Sequence, residues 1–542
     1  MKPITTSTFS FPDVIGKGFV YVDKTAGIRE LLRDGKNQYF CARPRRFGKS
    51  LTISTLQCIF EGRRDLFKGL AIDRSDYDWK TYPVIRLDMG SCQAETVEGL
   101  CDKIRGRLRM EAERLGVALR EGESVSNQFA FLMIDAIAEY DRRAKASDQG
   151  AKVEQCVLLL DEYDKPLLGH LGTPEVTKFK NALKEFYSVI KTQERHQRFA
   201  FMTGVSKFSK VSIFSDLNNL TDITMDARYA TLFGYTREEV KANFPDHLSA
   251  LAEANGLAKD AAFAKLVYMY DGFRFEENAE RVFNPVSVGK CFSEGKFKNY
   301  WFETGTPAFL VDLLKGDPLE GGEVSVTTDD LSSSYEPEQV SMLPLMVQTG
   351  YLTIKSSVKR GNSVVCTLGY PNMEVSEAMG RRLALGFSNL RPSEFSSISN
   401  RIFDALYAGD PQEVMEGMRC FFENIPYNLH VKYEKYYQSL FYSVFLMLNA
   451  QATAEVRTAS GRIDAVVETP DYVYLFEFKL RGTSEEAMAQ IAEMGYAVRF
   501  ASDPRKLFLV GCAFDWDRRN LGEWIVRSLS DCPNRNNRKE SS

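Results

Sequence analysis

Histidine is scarce and poorly placed in this chain. It occurs four times in 542 residues, never at metal-ligand spacing from another histidine, which argues against a zinc centre or a histidine-based catalytic site. The ten cysteines are scattered without a CxxC pair, and several sit inside strand-like runs, as Cys156 does in "CVLLL". No apolar run approaches the ~20 residues of a membrane span. The N-terminus "MKPITTSTFSF" lacks the apolar core of a signal peptide. The cysteines therefore read as reduced core thiols of a cytoplasmic protein. Basic charge is not in excess either: the net charge is −4. Any contact with nucleic acid must then come from local clusters of Lys and Arg.

What is present is ordinary in bulk, 44% hydrophobic and 26% charged, and at about 150 residues per domain the length predicts three or four units. Over residues 1–225, short apolar runs alternate with amphipathic helical patterns. The runs "NQYFCA", "YPVIRLDM", "QCVLLLDEYD" and "RFAFMTG" are continuous, as buried parallel strands are. The helical patterns include "KSLTISTLQCIF", "VEGLCDKIRGRLRMEAERLG" and "TKFKNALKEFYSVIK". Together they predict a parallel α/β sheet. Residues 226–390 change to helices with short loops. They close on "SMLPLMVQ" and on "TGYLTIKSSVKRGNSVVCTLGY", two strands turning at "KRGN", a set compatible with a winged-helix unit. Residues 391–530 run helices, strands, then helix and strand again. The tail 531–542 is polar and is expected to be disordered.

Two constellations carry chemistry. The first is "CARPRRFGKSLTIS", which ends like a phosphate-binding loop and starts unlike one. Gly48, Lys49 and Ser50 are present, while Arg43 stands where the first glycine belongs, followed by Arg45 and Arg46 inside the loop. Such a loop works because backbone N–H groups and a helix N-terminus face the anion. Lysine then reaches the phosphates, and the serine hydroxyl holds Mg²⁺. Strand "VLLLD" ends at Asp161, 112 residues after Lys49, with Asp161 placed for Mg²⁺ and Glu162 for polarising the attacking water. The two motifs read as lying on adjacent strands. Thr203 ends the next strand, where a polar sensor of the γ-phosphate belongs, and Lys207 and Lys210 after it are candidates for stabilising charge.

The second constellation is "EVRTASGRIDAVVETPDYVYLFEFKL". "RIDAVVE" alternates as a strand does, and "YVYLFEFKL" is a second strand beyond the turn "TPD". Period two puts Glu477 and Lys479 on one face, and Asp464 is expected to meet them across the hairpin. Two carboxylates and a lysine so placed can hold Mg²⁺ and orient water for phosphodiester hydrolysis. A helix with a capping box from Thr483 to Glu486 follows, and its Gln490 is expected to point back to the site. Upstream, "YEKYYQSLFYSVFLML" reads as an amphipathic helix whose inward stripe includes Glu434, a further acidic ligand, with Glu455 the alternative.

The motifs "YVDKT", "RPRRFGKSL", "LLLDEYDKPL", "TGVSKFSKVSIFSDLNNL", "YDGFRF", "NPVSV" and "YWFETGTPAFL" together resemble the AAA-ATPase-like family of prokaryotic proteins. That family commonly carries a C-terminal domain of the PD-(D/E)XK nuclease superfamily, which Asp464…Glu477-Phe478-Lys479 also resembles. The resemblance covers about residues 5–390 and the C-terminal part too. It implies ATP as the nucleotide, with Arg46, Phe47 and Leu51 joining Gly48, Lys49, Ser50, Asp161 and Thr203 in the site. It implies that Arg43 is a family variant of the loop, and it makes Arg274 a candidate lid or sensor arginine. It also implies Mg²⁺ as cofactor of both sites, the nuclease one with Gln490 beside Asp464, Glu477 and Lys479. The resulting expectation is an ATP-hydrolysing P-loop protein coupled to a nuclease-like domain acting on DNA or RNA, in defence or mobile-element control. A homo-oligomer is compatible with it. The rival is a regulatory ATPase whose C-terminal domain binds nucleic acid or protein without cleavage.

Overall fold

The computed structural model describes residues 1–146, 152–171, 173–207, 219–301, 324–332, 342–388, 390–425, 444, 453–459, 462–493, 497, 500, 502–518 and 520–528. The chain divides into two compact units. One comprises Met1–Lys298 with Ser325–Asn372, the other Asn299–Val324 with Met373–Ser542.

The first unit is built on the strands β1 (Gln38–Ala42), β2 (Val84–Asp88), β3 (Cys156–Asp161), β4 (Gln197–Gly204) and β5 (Thr221–Asp222). They form one parallel sheet in the order β2-β3-β4-β1-β5. Every residue of β1 and β3 is buried, which explains their uninterrupted apolar runs. Helices Lys49–Phe60, Val97–Leu115, Val125–Ala146 and Val176–Thr192 alternate with the strands along the chain. One expectation is corrected here: β1 and β3 are not adjacent, because β4 lies between them. A strand buried on both faces carries no mark of which neighbour it pairs with, so strand order is invisible in such runs.

Residues beyond the sheet are helical: Arg237–Asn243, Pro245–Ala254, Lys259–Tyr270 and Pro285–Glu294. The motif "NPVSV" is a helix start, with Asn284 Oδ1 accepting from the amides of Val286 and Ser287 and Pro285 opening the first turn. The motif "YVDKT" is a tether. Asp23 accepts from Thr25 and from the Ala71 amide, while Lys24 Nζ lies 2.7 Å from Glu239. Helix Met342–Thr349 precedes the antiparallel hairpin, and with β6 (Val324–Thr327) the strands β7 (Thr353–Arg360) and β8 (Ser363–Gly369) form a sheet ordered β6-β8-β7. Its turn is made by Gly361 at φ +61°, within the "KRGN" read from sequence.

The second unit pairs helices Pro392–Ala408 and Pro411–Glu423 with a mixed sheet of β9 (Thr453–Ala459), β10 (Arg462–Glu468), β11 (Tyr472–Lys479), β12 (Lys506–Asp515) and β13 (Asn520–Ser528). The order is β13-β12-β11-β10-β9, antiparallel except for β11 with β12. Helix Ser484–Glu493 covers one face, where Val473, Leu475, Leu507 and Leu509 pack with Met488, Ile491 and Phe500. On the other face Tyr474 Oη donates to Leu406 O at 2.6 Å. Alternation then places Glu477 and Lys479 on the helix-covered face.

Gly511 lets that helix approach. A Cβ there would lie 2.7 Å from Met488 Cγ, 2.9 Å from the Met488 amide nitrogen and 2.9 Å from Ser484 O. Two of these atoms are backbone and cannot step aside. Gly511→Ala is therefore expected to cost about 1–3 kcal/mol, read as a lower thermal midpoint for the second unit; an unchanged midpoint would mean the helix sits further off.

Candidate functional site

In the first unit, β1 runs into the loop 43–48, and the helix beginning at Lys49 follows. Gly48 caps that helix at φ +92°, and Arg46 also lies in the left-handed region at φ +69°. A side chain there is strained, and such strain collects at functional loops. Lys49 is buried, and its ammonium donates to the carbonyls of Arg43 (3.0 Å) and Pro44 (2.8 Å). Burial pushes its pKa down, against the pull of Asp161, Glu162 and Asp164. Ser50 lies by the Asp161 carboxylate and pulls its pKa down, so the loop serine and the strand-end aspartate are neighbours, as the sequence expects. Arg46 and Leu51 line a cleft beside the loop with Thr6, Tyr21, Tyr235 and Val286. Phe47 is buried, its ring edge-on to Phe273 at 4.8 Å and to Phe275 at 5.4 Å.

Asp161 pairs in register with Asp88 at the ends of β3 and β2. Burial raises its pKa and the Asp88 charge adds to the shift, while Ser50 and Lys49 oppose it. Glu162 follows at φ +50°. Its carboxylate lies by Gly90, where a Cβ would come within 2.5 Å of Oε2, and burial raises its pKa as well. Of the three non-glycine residues with positive φ among the described residues, two are thus Arg46 and Glu162, one at each loop.

These raised values fix a sign. A carboxyl group whose folded pKa exceeds its unfolded one is penalised once ionised. The metal-free protein therefore loses stability as pH climbs from the ordinary carboxylate range through the raised values. In chelator at pH 7, Asp161→Asn is expected to raise the thermal midpoint by ~3 °C, the shift that about 1 kcal/mol gives a domain of this size. The gain should shrink as pH falls. A lower midpoint at pH 7 would overturn the sign.

Other residues singled out from sequence make contacts within the first unit. Thr203 is buried at the end of β4, its hydroxyl donating to Cys41 O at 2.9 Å. Lys207 pairs with Asp222 at 2.8 Å and its amide donates to Gln348 Oε1. Arg274 stands between Phe273 and Phe275, its amide donating to Thr353 Oγ1 at 2.7 Å. Arg43 is wholly buried and donates to the Ala42, Thr224 and Tyr229 carbonyls. Lys210 lies outside the described residues.

A residue the motif reading missed is Asp164. It is fully buried, and Oδ2 accepts from Val205 N, Ser206 N and Ser206 Oγ at 2.6–3.0 Å. It ties the turn after β3 to the segment leaving β4. Its only sequence signal is a further carboxylate three residues after Asp161.

In the second unit, Asp464 stands opposite Glu477 and Arg462 opposite Lys479 across β10 and β11. Glu477 is 1% exposed. Lys479 Nζ lies 3.8 Å from Glu477 Oε1 and donates to Gln490 Oε1. The expected return of Gln490 to the strand pair is therefore present. The expected capping box is also there, Thr483 and Glu486 exchanging side chain-to-amide bonds. The Asp464 and Glu455 positions are on strands, whereas Glu434, its helix and the tail 531–542 lie outside the described residues. Among the described residues no group of three His, Cys, Asp or Glu side chains is gathered for a metal, and no helix is long and apolar enough to cross a membrane.

A five-stranded parallel sheet with a phosphate-type loop after its first strand defines a P-loop α/β unit, and the mixed sheet behind the ten-residue helix Ser484–Glu493 defines a nuclease-like one. Residues 3–214 match the family model described as a predicted AAA-ATPase, and residues 432–524 match that of the PD-(D/E)XK nuclease superfamily. The chain belongs to the AAA-ATPase-like family and carries a C-terminal domain of the PD-(D/E)XK nuclease superfamily. It is 38% identical over 526 residues to the "Uncharacterized protein in vnfD 5'region" of Azotobacter chroococcum mcd 1, covering 95% of this chain and 96% of that protein. No solved structure matches it.

Proposed function

We propose that the chain binds and hydrolyses ATP at the loop 43–51 and that its second unit is a metal-dependent phosphodiesterase acting on nucleic acid. The units would be an ATPase domain (1–225), a helical and hairpin region (226–390) and a nuclease-like domain (391–530). The observation that carries the nucleotide reading is the placement of Ser50 beside the Asp161 carboxylate. It brings a hydroxyl and a buried carboxylate, both hard oxygen donors, to one point beside Lys49, a donor set that suits Mg²⁺.

Lys49 leaves the Arg43 and Pro44 carbonyls for the phosphate oxygens, exchanging two neutral acceptors for an anion. Ser50 and Asp161 would hold Mg²⁺, which when bound would supply charge stabilisation at the phosphate oxygens. Glu162, its basicity raised by burial, orients the attacking water and takes its proton.

In the second unit the support is the register of Asp464 with Glu477 and the Lys479–Gln490 hydrogen bond. Glu477 is a buried carboxylate with the Lys479 ammonium 3.8 Å away. Glu477 and Asp464 would hold Mg²⁺, and Lys479, oriented by Gln490, would place the water and the scissile phosphate.

The test is a paired assay on the purified chain: ATP turnover, and cleavage of DNA and RNA with Mg²⁺ or Mn²⁺. Loss of the first in Lys49→Ala and of the second in Lys479→Ala supports the reading. Turnover with no cleavage by any form would favour a regulatory ATPase whose second unit only binds.

A further inference from the structure

Arg43 is an unusual residue to bury. Its side chain is fully enclosed at the mouth of β1, and no carboxylate among the described residues forms an ion pair with it. Its guanidinium donates through Nη1 to Ala42 O (2.9 Å) and Thr224 O (2.7 Å), and through Nη2 to Tyr229 O (3.4 Å). The planar head lies over the Phe275 ring at 4.3 Å and the Phe233 ring at 5.6 Å. Its backbone is pinned too: the amide donates to Gly204 O at 3.1 Å, and the carbonyl accepts from Lys49 Nζ.

The far end of the loop is held by the same ring. Phe47 packs edge-on against Phe275 at 5.4 Å, and Phe47 O accepts from the Gly234 amide at 3.2 Å. Phe275 thus touches both Arg43 and Phe47, and the three residues that arch over the phosphate position, Pro44 to Arg46, span between those two feet. A glycine at position 43 would allow a tight turn but would leave one foot free. An arginine removes that freedom, because its fork reaches carbonyls of β1 and of the segment after β5 together while its face rests on an aromatic ring.

We propose that Arg43 and Phe275 form a cation–aromatic brace that fixes the span of the phosphate loop, Arg43 being the positioning residue that stands in for the missing glycine. The inference rests on the ATP reading above and adds to it what sets the loop's shape. The charge of Arg43 is turned away from phosphate chemistry and into the scaffold. Its contribution to the site is made through the Arg43 carbonyl, which holds Lys49 in place before nucleotide arrives.

The experiment measures the dissociation constant for Mg²⁺·ATP by calorimetry and steady-state turnover for the wild-type chain and for Arg43→Gly, Phe275→Leu, the double variant and Lys49→Ala. Arg43→Gly restores the usual glycine, yet it and Phe275→Leu are each expected to weaken ATP binding about tenfold. Turnover at saturating ATP should change less than about threefold, a split that mere loss of folded protein would not give. In the Arg43→Gly background, Phe275→Leu should cost less than about twofold more, since the brace is already gone. Arg43→Gly binding ATP as tightly as wild type overturns the brace. Should Arg43→Gly not fold, Phe275→Leu decides alone, and unchanged affinity there overturns it. A wild-type chain that does not bind ATP overturns the nucleotide reading and the brace with it. ATP binding lost in Lys49→Ala but kept in Arg43→Gly overturns the brace alone.

Discussion

Lys49→Ala is expected to lower kcat/KM for ATP by about 10²–10³-fold, the usual effect of removing one positioned donor to a developing charge, while the thermal midpoint holds or rises. The two halves of this expectation come from the same geometry. The ammonium is buried between two loop carbonyls, and burial disfavours its charge. In the resting protein its burial therefore weighs against the fold. Alanine removes burden and function together. Loss of turnover with a collapsed midpoint would point to a structural lysine, and retained turnover would refute the phosphate-loop assignment.

The second large effect belongs to the other unit. Lys479→Ala and Glu477→Gln are each expected to reduce metal-dependent cleavage of nucleic acid by about 10²–10³-fold and to leave ATP turnover near its wild-type rate. Glu477 is enclosed under the helix Ser484–Glu493, on the same face as Val473 and Leu475. At 3.8 Å the Lys479 ammonium is beyond hydrogen-bond reach of Glu477 Oε1 and is turned to Gln490. Cleavage assayed on gels with Mg²⁺ and with Mn²⁺ decides: undiminished activity in Lys479→Ala removes the residue from the mechanism.

Much of this could be read in the sequence because the two sites use local grammar. The loop, its strand and its helix are contiguous, so "NQYFCA" and "KSLTISTLQCIF" place Lys49 and Ser50 with no tertiary knowledge, and they became β1 and the helix Lys49–Phe60. Period two was enough to put Glu477 and Lys479 together, and a turn-linked hairpin was enough to bring Asp464 opposite. What escaped was non-local. Thr203 reads as a sensor, but the carbonyl that takes its hydroxyl lies on β1, 162 residues away. Lys207 reads as a candidate for stabilising charge, and Asp222, which pairs with it, belongs to a strand two residues long. Arg43 reads as a variant of the loop's first glycine, and its packing on Phe233 and Phe275 is not legible from the motif. The position of β4 escaped for a related reason, since apolar strands name no neighbours.

That strand order has a dimensional meaning. Neighbouring strands lie about 4.8 Å apart, so one interposed strand keeps the ends of β1 and β3 about 10 Å from each other. β4 acts as a gauge block between two jaws. Because Asp164 fastens the jaw beyond β3 to the segment leaving β4, and Thr203 fastens β4 to β1, the gap is held by hydrogen bonds as well as by the sheet. The ends of β1 and β3, from which the phosphate-type loop and Glu162 follow, are thus held at a set separation.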